Sequence, residues 1–381
     1  MKKILKYIDK PLLVASVILF IFGLIMVFSA SNVTAYMSYA ASPYNYFIKQ
    51  GIFLLGGLFM AFIMIKFNTR SYGFFSSGLL FIIILSLSVL LVIGSEKNQA
   101  VSWFDLGFMT IQPSEFAKII TIVYLAYYYD KNKDKLSSWT KSLFPIGLTI
   151  IIAALIFIQP DLGTTIIYSA IVAAIFFAVP IAKEIKYKTA FMLLGLIAFG
   201  AIIIIGSGKE VLLKRQLERF DFSNPCEKIL DNGNQVCNCY IAINNGGLTG
   251  VGLGNSTQKY LYLPEAHTDF IFAIIIEELG IIIGIALILT YIFILFRILL
   301  IGRKCPNNRG AILCYGIAIY IFLHIAVNLM GIMGIMPMTG VPLPFMSYGG
   351  SYTICLIAAL TIVQRVSYEN GILKERGKKH A

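Results

Sequence analysis

The sequence predicts an all-α polytopic membrane protein, a single transmembrane domain over residues 1–381 built as a bundle of about ten helices. Two observations predict this class. Hydrophobic residues make up 58% of the 381-residue chain and charged residues only 13%, which is too little polar surface for a soluble protein of this size. The apolar residues also form separate runs of about 17–25 residues, the length that an α-helix needs to cross a bilayer.

The first predicted span follows a tail that contains Lys2, Lys3 and Lys6. This start is similar to a signal peptide, but the apolar run Pro11–Ala30 is about 20 residues long, enough to cross the membrane, and we interpret it as an uncleaved helix. The other spans are predicted over Tyr46–Lys66, Gly73–Ser95, Ser114–Asp130, Leu143–Gln159, Leu162–Ala182, Thr189–Ser207, Thr268–Leu295, Ala311–Gly334 and Met346–Val366.

The placement of charge predicts the orientation of the bundle. Most of the 31 Lys and Arg residues lie in the two tails and in the connections on one side, whereas most of the 19 Asp and Glu residues lie on the other. Basic connections stay on the cytoplasmic side, so we expect both termini to be cytoplasmic. The net charge of +12 could suggest a nucleic-acid-binding protein, but this side-specific placement favours a membrane orientation and no nucleic acid partner.

One predicted extracellular loop, about 208–267 between the seventh and eighth spans, is far longer than the other connections. Loops of this length are usually functional or disordered, and the apolar stretch Cys239–Leu253 argues against disorder. The surrounding glycine runs predict backbone tucked against the helices, which is tolerated at membrane depth only where protein or a water-filled cavity covers it.

Three cysteines of this loop lie on the predicted oxidising side of the membrane. Cys226 could pair with Cys237 or with Cys239, and the remaining thiol would stay free. Spacing alone does not choose between these pairs.

Asp269 is the strongest candidate functional residue. It lies where the polar segment Leu263–Thr268 turns into an apolar span, and Glu277 and Glu278 follow two turns later. Ionisable groups in or beside a span are disfavoured by several kcal/mol, so they usually face a wet cavity or a partner. Asp269 could act as a helix cap near Thr268, but its apolar flank and acidic neighbours favour a functional role.

Two further polar clusters are predicted at the outer ends of spans. Glu115 and Lys118 lie three residues apart on one helix face, just after Pro113, and they could bind substrate or form a structural ion pair. Gln159 and Asp161 form a tight outer turn that could contact substrate or cap the sixth span.

A last cluster, Met338–Ser351, is dense in turn-forming residues and predicts a rigid turn before the tenth span. Ser347 and Tyr348 are its chemically interesting members. His267, in the segment before Asp269, could serve the site or be an ordinary hydrogen-bonding loop residue.

The sequence lacks the signatures of several other chemistries. The three histidines are scattered and no Cys-x-x-Cys pair is present, so no zinc-type site is predicted. A Gly-Lys-Ser/Thr phosphate loop is absent, as is the Ser-x-x-Lys motif with its accompanying elements that peptide cross-linking would need. We expect no cofactor, and the need for a divalent cation is left open.

Several motifs, in order along the chain, closely resemble those of the SEDS (shape, elongation, division and sporulation) family, the FtsW/RodA/SpoVE group. The match covers nearly the whole chain, and its FtsW-like details include Gly250–Ser256 and Lys259. The motifs are Gly23–Ser31, Gln112–Glu115, Gln159–Thr164, Leu263–Phe270 and Pro342–Gly350.

The resemblance implies a peptidoglycan glycosyltransferase that polymerises lipid II at the outer face of the cytoplasmic membrane. It implies that Asp269 is the essential catalytic acid residue and that Glu115 and Lys118 are a functional pair. Arg215, ahead of Asp221, is similar to the arginine before the family's Asp-Pro pair. The resemblance also implies a class B penicillin-binding protein as transpeptidase partner and, from the FtsW-like details, a role at the division septum.

Two residues depart from the family pattern. Ser102 stands where the family commonly has Arg before Trp, and Phe222 replaces the Pro that would follow Asp221. The first departure removes a positive group that could contact phosphate, so Lys97 or another base would have to substitute for it.

We hypothesise that Asp269 is a general base for glycosyl transfer and that Arg215, Lys118 and Lys259 stabilise the pyrophosphate leaving group. The other candidate substrate contacts are Glu115, Gln159, Asp161, Glu265, His267, Ser347 and Tyr348. Alternatives are a lipid II flippase, a scaffold that docks division proteins, or an elongation or sporulation paralogue of the same enzyme.

Overall fold

The computed structural model describes residues 2–39, 42–97, 100–107, 109–192, 225–227, 233–260 and 262–379, and helices dominate them. The helices are α1 (Lys2–Tyr7), α2 (Lys10–Tyr39), α3 (Asn45–Met64), α4 (Thr69–Ile93), α5 (Pro113–Lys131), α6 (Trp139–Ile158), α7 (Leu162–Ala178), α8 (183–192 in its described part), α9 (Asn234–Gly246), α10 (Ile271–Arg303), α11 (Asn308–Ile332) and α12 (Gly350–Lys379). Between α4 and α5, β1 (Ser95–Lys97), β2 (Ala100–Asp105) and β3 (Thr110–Ile111) form an antiparallel sheet in that order.

The predicted all-α, multi-pass class is confirmed. Seven helices of the described chain are long and apolar enough to cross a membrane, namely α2, α3, α4, α6, α10, α11 and α12. The shorter helices α5 and α7 stand at the fourth and sixth predicted spans. The seventh predicted span, Thr189–Ser207, lies outside the described residues beyond Met192, so the count of ten stays a prediction.

Polar residues begin several of these helices as their side-chain chemistry predicts. Asn68 and Asn307 accept hydrogen bonds from the first-turn amides of α4 and α11, at 2.8 Å each. Pro113 occupies the first turn of α5. A backbone N–H there has no partner within the helix, so the N–H that proline lacks costs no hydrogen bond.

Helices α5 and α11 form the interior of the bundle. Helix α5 packs against α4, α7, α11 and α12, and α11 packs against α5, α7, α10 and α12. By contrast, α3 and α4 expose large apolar side chains, such as Phe59 and Phe81, on their outer faces. Surface of that kind is stable in lipid, so these faces of α3 and α4 fit the lipid side of the bundle.

Helix α10 is interrupted at Gly280, where φ is +83°. The glycine-rich backbone of the outer loop fills the interruption: Val251 N donates to the carbonyl of Glu277 at 2.9 Å, and Ile281 N donates to that of Gly247 at 3.0 Å. A Cβ at Gly280 would stand 2.2 Å from the Leu248 carbonyl oxygen, so this contact requires glycine. The loop therefore packs by its backbone directly on α10.

The loop also contains the helix α9 and a disulfide bond. Cys226 is bonded to Cys237, which decides between the two pairings that the sequence allows. Cys239 is buried with a free thiol.

Candidate functional site

Asp269 lies in the turn immediately before α10 and is partly buried. Its carboxylate makes no hydrogen bond or ion pair with any residue that the structure describes, and its Oδ2 would lie 3.6 Å from a Cβ placed on Gly340. Burial, and secondly the charge of Glu265, raises the pKa of Asp269 to about 7. A carboxyl group with that pKa exchanges protons readily at neutral pH, which suits a general base or acid.

The turn that carries Asp269 is fastened by the last polar cluster. Ser347 Oγ donates to the carbonyl of Thr268 at 2.5 Å and accepts from Leu343 N at 2.8 Å. The backbone N–H of Tyr348 donates to the carbonyl of His267 at 2.9 Å. The hydroxyl of Ser347 is therefore engaged in holding the turn in place.

Glu265 and His267 flank Asp269 in opposite environments. Glu265 is exposed, has φ of +56° and accepts from Thr268 Oγ1 at 2.8 Å. His267 is buried between aromatic rings, with 4.4 Å between its ring centroid and that of Tyr46 and 5.8 Å to that of Tyr348. Burial lowers the pKa of His267, which favours the neutral imidazole, while the charge of Glu265 opposes that shift.

Glu115 and Lys118 form an ion pair inside the bundle, as one reading of their spacing predicts. The Lys118 Nζ is 2.8 Å from Glu115 Oε1 and 3.0 Å from His324 Nε2 on α11. Lys118 is 1% exposed and Glu115 is 3% exposed. Both side chains therefore face protein in this conformation, and Glu115 Oε2 has no hydrogen-bond partner among the described residues.

Lys259 is also buried and paired. Its ammonium donates to the Gly254 carbonyl at 2.6 Å and to Glu278 Oε1 at 2.9 Å, and Ser29 Oγ donates to the same carboxylate at 2.6 Å. Glu277 accepts from Thr257 Oγ1 at 2.9 Å. Glu277 and Glu278 thus connect the loop to α10. Among the described residues, the Lys259 ammonium is used in contacts with the Gly254 carbonyl and Glu278.

Gln159 and Asp161 both contact other parts of the protein, but only Asp161 forms the predicted cap of the sixth span. Gln159 Nε2 donates to the Leu87 carbonyl at 2.9 Å, which joins the end of α6 to α4. Asp161 caps α7 by accepting from Thr164 N at 3.0 Å, and its other oxygen accepts from Gln112 Nε2 at 3.2 Å.

The four polar clusters of the sequence meet at one end of the bundle. Gln112 contacts Asp161 and also donates its backbone N–H to Ser351 Oγ at 3.0 Å. A Cβ on Gly163 would stand 2.7 Å from the Thr339 carbonyl oxygen, and the next residue, Gly340, faces Asp269. The tertiary fold thus joins segments from four parts of the chain around Asp269, whose carboxylate has no partner in the part of the chain that the structure describes.

Two residues of this region were not among the sequence-based candidates. His324 contacts Lys118, and Asn328, one turn further along α11, donates from Nδ2 to the Asp269 carbonyl at 2.8 Å. The signal that could have identified them is their polarity inside an otherwise apolar span.

Arg215, Asp221 and Phe222 lie outside the described residues, as does the side chain of Lys97, so the structure does not test their predicted roles. Ser102 is buried, and its hydroxyl has no partner in the part of the chain that the structure describes. No group of three or more His, Cys, Asp or Glu side chains that could hold a metal ion occurs among the described residues.

Comparison with known proteins gives consistent results. The family model FTSW_RODA_SPOVE, described as a cell cycle protein, matches residues 10–371. The chain is 38% identical over 373 residues to "Probable peptidoglycan glycosyltransferase FtsW" of Bacillus subtilis, covering 96% of this chain and 92% of that protein. It is 35% identical to the protein of the same name from Coxiella burnetii, over 95% and 96% of the two chains.

The fold is also similar to that of a solved structure, described as "Structural coordination of polymerization and crosslinking by a peptidoglycan synthase complex". One chain of that structure superposes with a TM-score of 0.73 and 24% identity, covering 95% of this chain and 98% of the other.

Proposed function

This chain belongs to the FtsW/RodA/SpoVE family of cell cycle proteins, and from that premise we propose that it is a peptidoglycan glycosyltransferase with Asp269 as its general base. It would polymerise lipid II at the outer face of the cytoplasmic membrane, with residues 1–381 acting as one transmembrane domain. The observation that carries the assignment of the base is a carboxylate that has no hydrogen-bond or ion-pair partner among the described residues and whose pKa of about 7 suits proton transfer at neutral pH.

The proposed reaction forms one bond and breaks one. The GlcNAc 4-hydroxyl of an incoming lipid II attacks C1 of the lipid-linked glycan, and Asp269 takes the hydroxyl proton. The bond between C1 and the phosphate oxygen breaks, and undecaprenyl diphosphate leaves with the bonding pair. A positioned base of this kind contributes about 10²–10⁴ in rate.

The leaving diphosphate needs positive charge nearby. We keep Arg215 as the first candidate for direct contact. Lys118 and Lys259 are each paired with a buried glutamate, so either would need a rearrangement before it could touch the diphosphate. The remaining candidate contacts with the sugar or lipid head are Gln159, Asp161, Glu265, His267, Ser347 and Tyr348.

The proposed reaction makes glycan strands and no peptide cross-links. A class B penicillin-binding protein is therefore the proposed partner, and the fold similarity to a chain of a peptidoglycan synthase complex supports it. Similarity to proteins named FtsW over nearly the whole chain supports a role in septal wall synthesis.

The direct test is polymerisation of lipid II by the purified full-length chain with its transpeptidase partner. We expect Asp269→Asn to abolish glycan strands on gels, a loss of at least about 10²-fold, while folding is retained. Asp134→Asn, an exposed aspartate of the cytoplasmic turn, is the matched control and should polymerise normally. Near-normal polymer from the Asp269→Asn protein would refute the assignment of the base.

Lipid II transport is the second candidate function. The buried pairs Glu115–Lys118 and Lys259–Glu278 favour it, because ionisable groups inside a bundle often mark a transport path. Transport by the purified protein in liposomes that is unaffected by Asp269→Asn, together with the absence of polymer from the wild type, would support the flippase.

A further inference from the structure

One side chain of α11 connects the two segments that meet at the Asp269 carboxylate. Asn328 is 4% exposed, and its Nδ2 donates to the carbonyl of Asp269 and to that of Val341, at 2.8 Å each. Both amide hydrogens are therefore used. Because carbonyl oxygens only accept hydrogen bonds, the NH₂ group and not Oδ1 must face them.

These two bonds fix the backbone on both sides of the Asp269 carboxylate. One is made to Asp269 itself and the other to the residue that follows Gly340, the glycine that faces Oδ2. Ser347 and Tyr348 bind the same turn at Thr268 and His267, and the amide of Asn328 adds the bond to Asp269 itself. A shift of about 1 Å in the position of a reacting group can cost about 10²-fold in rate.

The amide also has an unsatisfied atom. Asn328 Oδ1 is buried without a hydrogen-bond partner among the described residues. Leaving a buried acceptor unpaired costs about 1–3 kcal/mol. An apolar residue of the same shape would avoid that cost but would leave the carbonyls of Asp269 and Val341 without this donor, so activity and stability have to be measured separately.

The face of α11 that carries Asn328 is held from the other side. His324 lies four residues earlier on the same face, about 6 Å away. Its Nδ1 is 2.9 Å from the Tyr320 carbonyl, so the hydrogen is on Nδ1, and Nε2 accepts from the Lys118 ammonium at 3.0 Å. The helix turn that presents Asn328 is therefore anchored to the buried ion pair of α5.

We propose that Asn328 is a positioning residue for glycosyl transfer, which sets the place and the exposure of the Asp269 carboxylate by tying its turn to the segment that contains Gly340. This inference rests on the proposed function and adds to it a residue that need not touch the substrate.

A positioning role and a purely structural role predict different results. If the tie is lost, the carboxylate moves and becomes better hydrated, so the turnover rate falls and the acid limb of the rate profile moves to lower pH. Among the described residues, Glu265 on the same turn supplies the charge that acts on Asp269, and His267 is two residues away. The opposing elements present Gly340 and Asn328, which do not titrate.

The test measures kcat, KM and the pH profile of lipid II polymerisation by the full chain with its transpeptidase partner, for Asn328→Ala and Asn328→Ser. The matched control is Asn370→Ala. Asn370 lies on α12, far from the end that begins at Gly350, and its Nδ2 also donates to a backbone carbonyl, that of Ile301 on α10 at 3.3 Å. Thermal unfolding of each protein reports any general loss of stability.

We expect Asn328→Ala to lower kcat by about 10²-fold, with KM changed by less than about threefold and the acid limb displaced below that of the wild type. Asn328→Ser keeps one donor, so its kcat should lie between those of the wild type and Asn328→Ala. If the alanine variant does not fold, the serine variant alone provides the test. Wild-type kcat and pH profile in the folded Asn328 variant, or losses no larger than those of Asn370→Ala, would overturn the inference. Polymerisation that survives Asp269→Asn would instead overturn the proposed function.

Discussion

At Asp269 the fold keeps a carboxyl group where ionisation is costly. Its neighbours supply no hydrogen bond or ion pair to the carboxylate among the described residues, and burial raises its pKa to about 7. By contrast, Glu277 and Glu278 are more deeply buried but each accepts several hydrogen bonds. The difference separates carboxylates that hold the structure together from one that has no partner among the described residues and can exchange a proton.

The rate of polymerisation should rise with pH through about 7, because a general base must be ionised to act. The charge of Glu265 raises the pKa of Asp269, so removing that charge lowers it. We therefore expect Glu265→Gln to move the acid limb of kcat/KM to lower pH. Glutamine retains the acceptor for Thr268 Oγ1, which keeps the turn intact.

The measurement is the pH dependence of initial polymerisation rates for Glu265→Gln beside Asp134→Asn, a change in the exposed turn between α5 and α6. An acid limb that stays in place, or moves to higher pH, would show that Asp269 is not the group that titrates.

At the scale of elements, α10 and the outer loop share backbone hydrogen bonds in place of a continuous helix. Glu277 and Glu278 keep the loop in register with side-chain contacts, while the glycines allow the two backbones to approach. The ion pair of Lys259 with Glu278 is not by itself evidence of stability, because taking both charges out of water costs about as much as their attraction returns. Its geometric effect is to fix one loop conformation.

A comparison of two glycine-to-alanine variants separates the steric effect of the contact at Gly280 from the strain of a positive φ. Gly280 and Gly254 have nearly equal φ, +83° and +84°, but only at Gly280 would a Cβ meet backbone, at 2.2 Å from the Leu248 oxygen. Gly254→Ala should cost about 1–2 kcal/mol of strain. Gly280→Ala should cost more, because it also separates the loop from α10.

Thermal unfolding of the purified protein, monitored by intrinsic fluorescence, compares the two variants. We expect a clearly lower Tm for Gly280→Ala than for Gly254→Ala. Equal Tm values would show that the loop does not need its close approach to the helix.

At the scale of the whole molecule, polar contacts gather at the two ends of the bundle. One end holds Asp269 and its network. The other holds the ion pair of Asp9 with Arg297, at 2.5 Å, and that of Arg309 with Asp130, at 3.5 Å. The described parts of both tails meet at this second end, where Lys6 pairs with Glu375 at 3.5 Å. The excess of basic residues in the tails favours their predicted cytoplasmic location.

Cysteine labelling tests this orientation. Cys239, Cys314 and Cys355 are buried, so only Cys305 needs replacement by Ser before single cysteines are introduced. In intact cells, a membrane-impermeant maleimide should label Tyr262→Cys, on the Asp269 side. The same reagent should label Lys135→Cys only after the membrane is permeabilised. Both target residues are exposed, so the reverse pattern would invert the orientation and with it the proposed site of synthesis.

The sequence by itself determined the all-α membrane class, the approximate course of nine helices among the residues that the structure describes, and Asp269 as the residue to examine. Each of these follows from local properties: the length of apolar runs, the position of caps and the cost of a charge beside a span. The order of motifs also sufficed to indicate the family, which the comparisons confirm.

Only the tertiary structure decided what each polar residue does. Sequence spacing could not predict that Lys118 contacts His324, that Lys259 forms an ion pair with Glu278, or that Cys226 is bonded to Cys237. The physical reason is that hydrogen bonds and ion pairs between distant segments depend on how helices pack. The same packing brings Asn328 beneath the Asp269 turn and leaves that one carboxylate without a partner among the described residues.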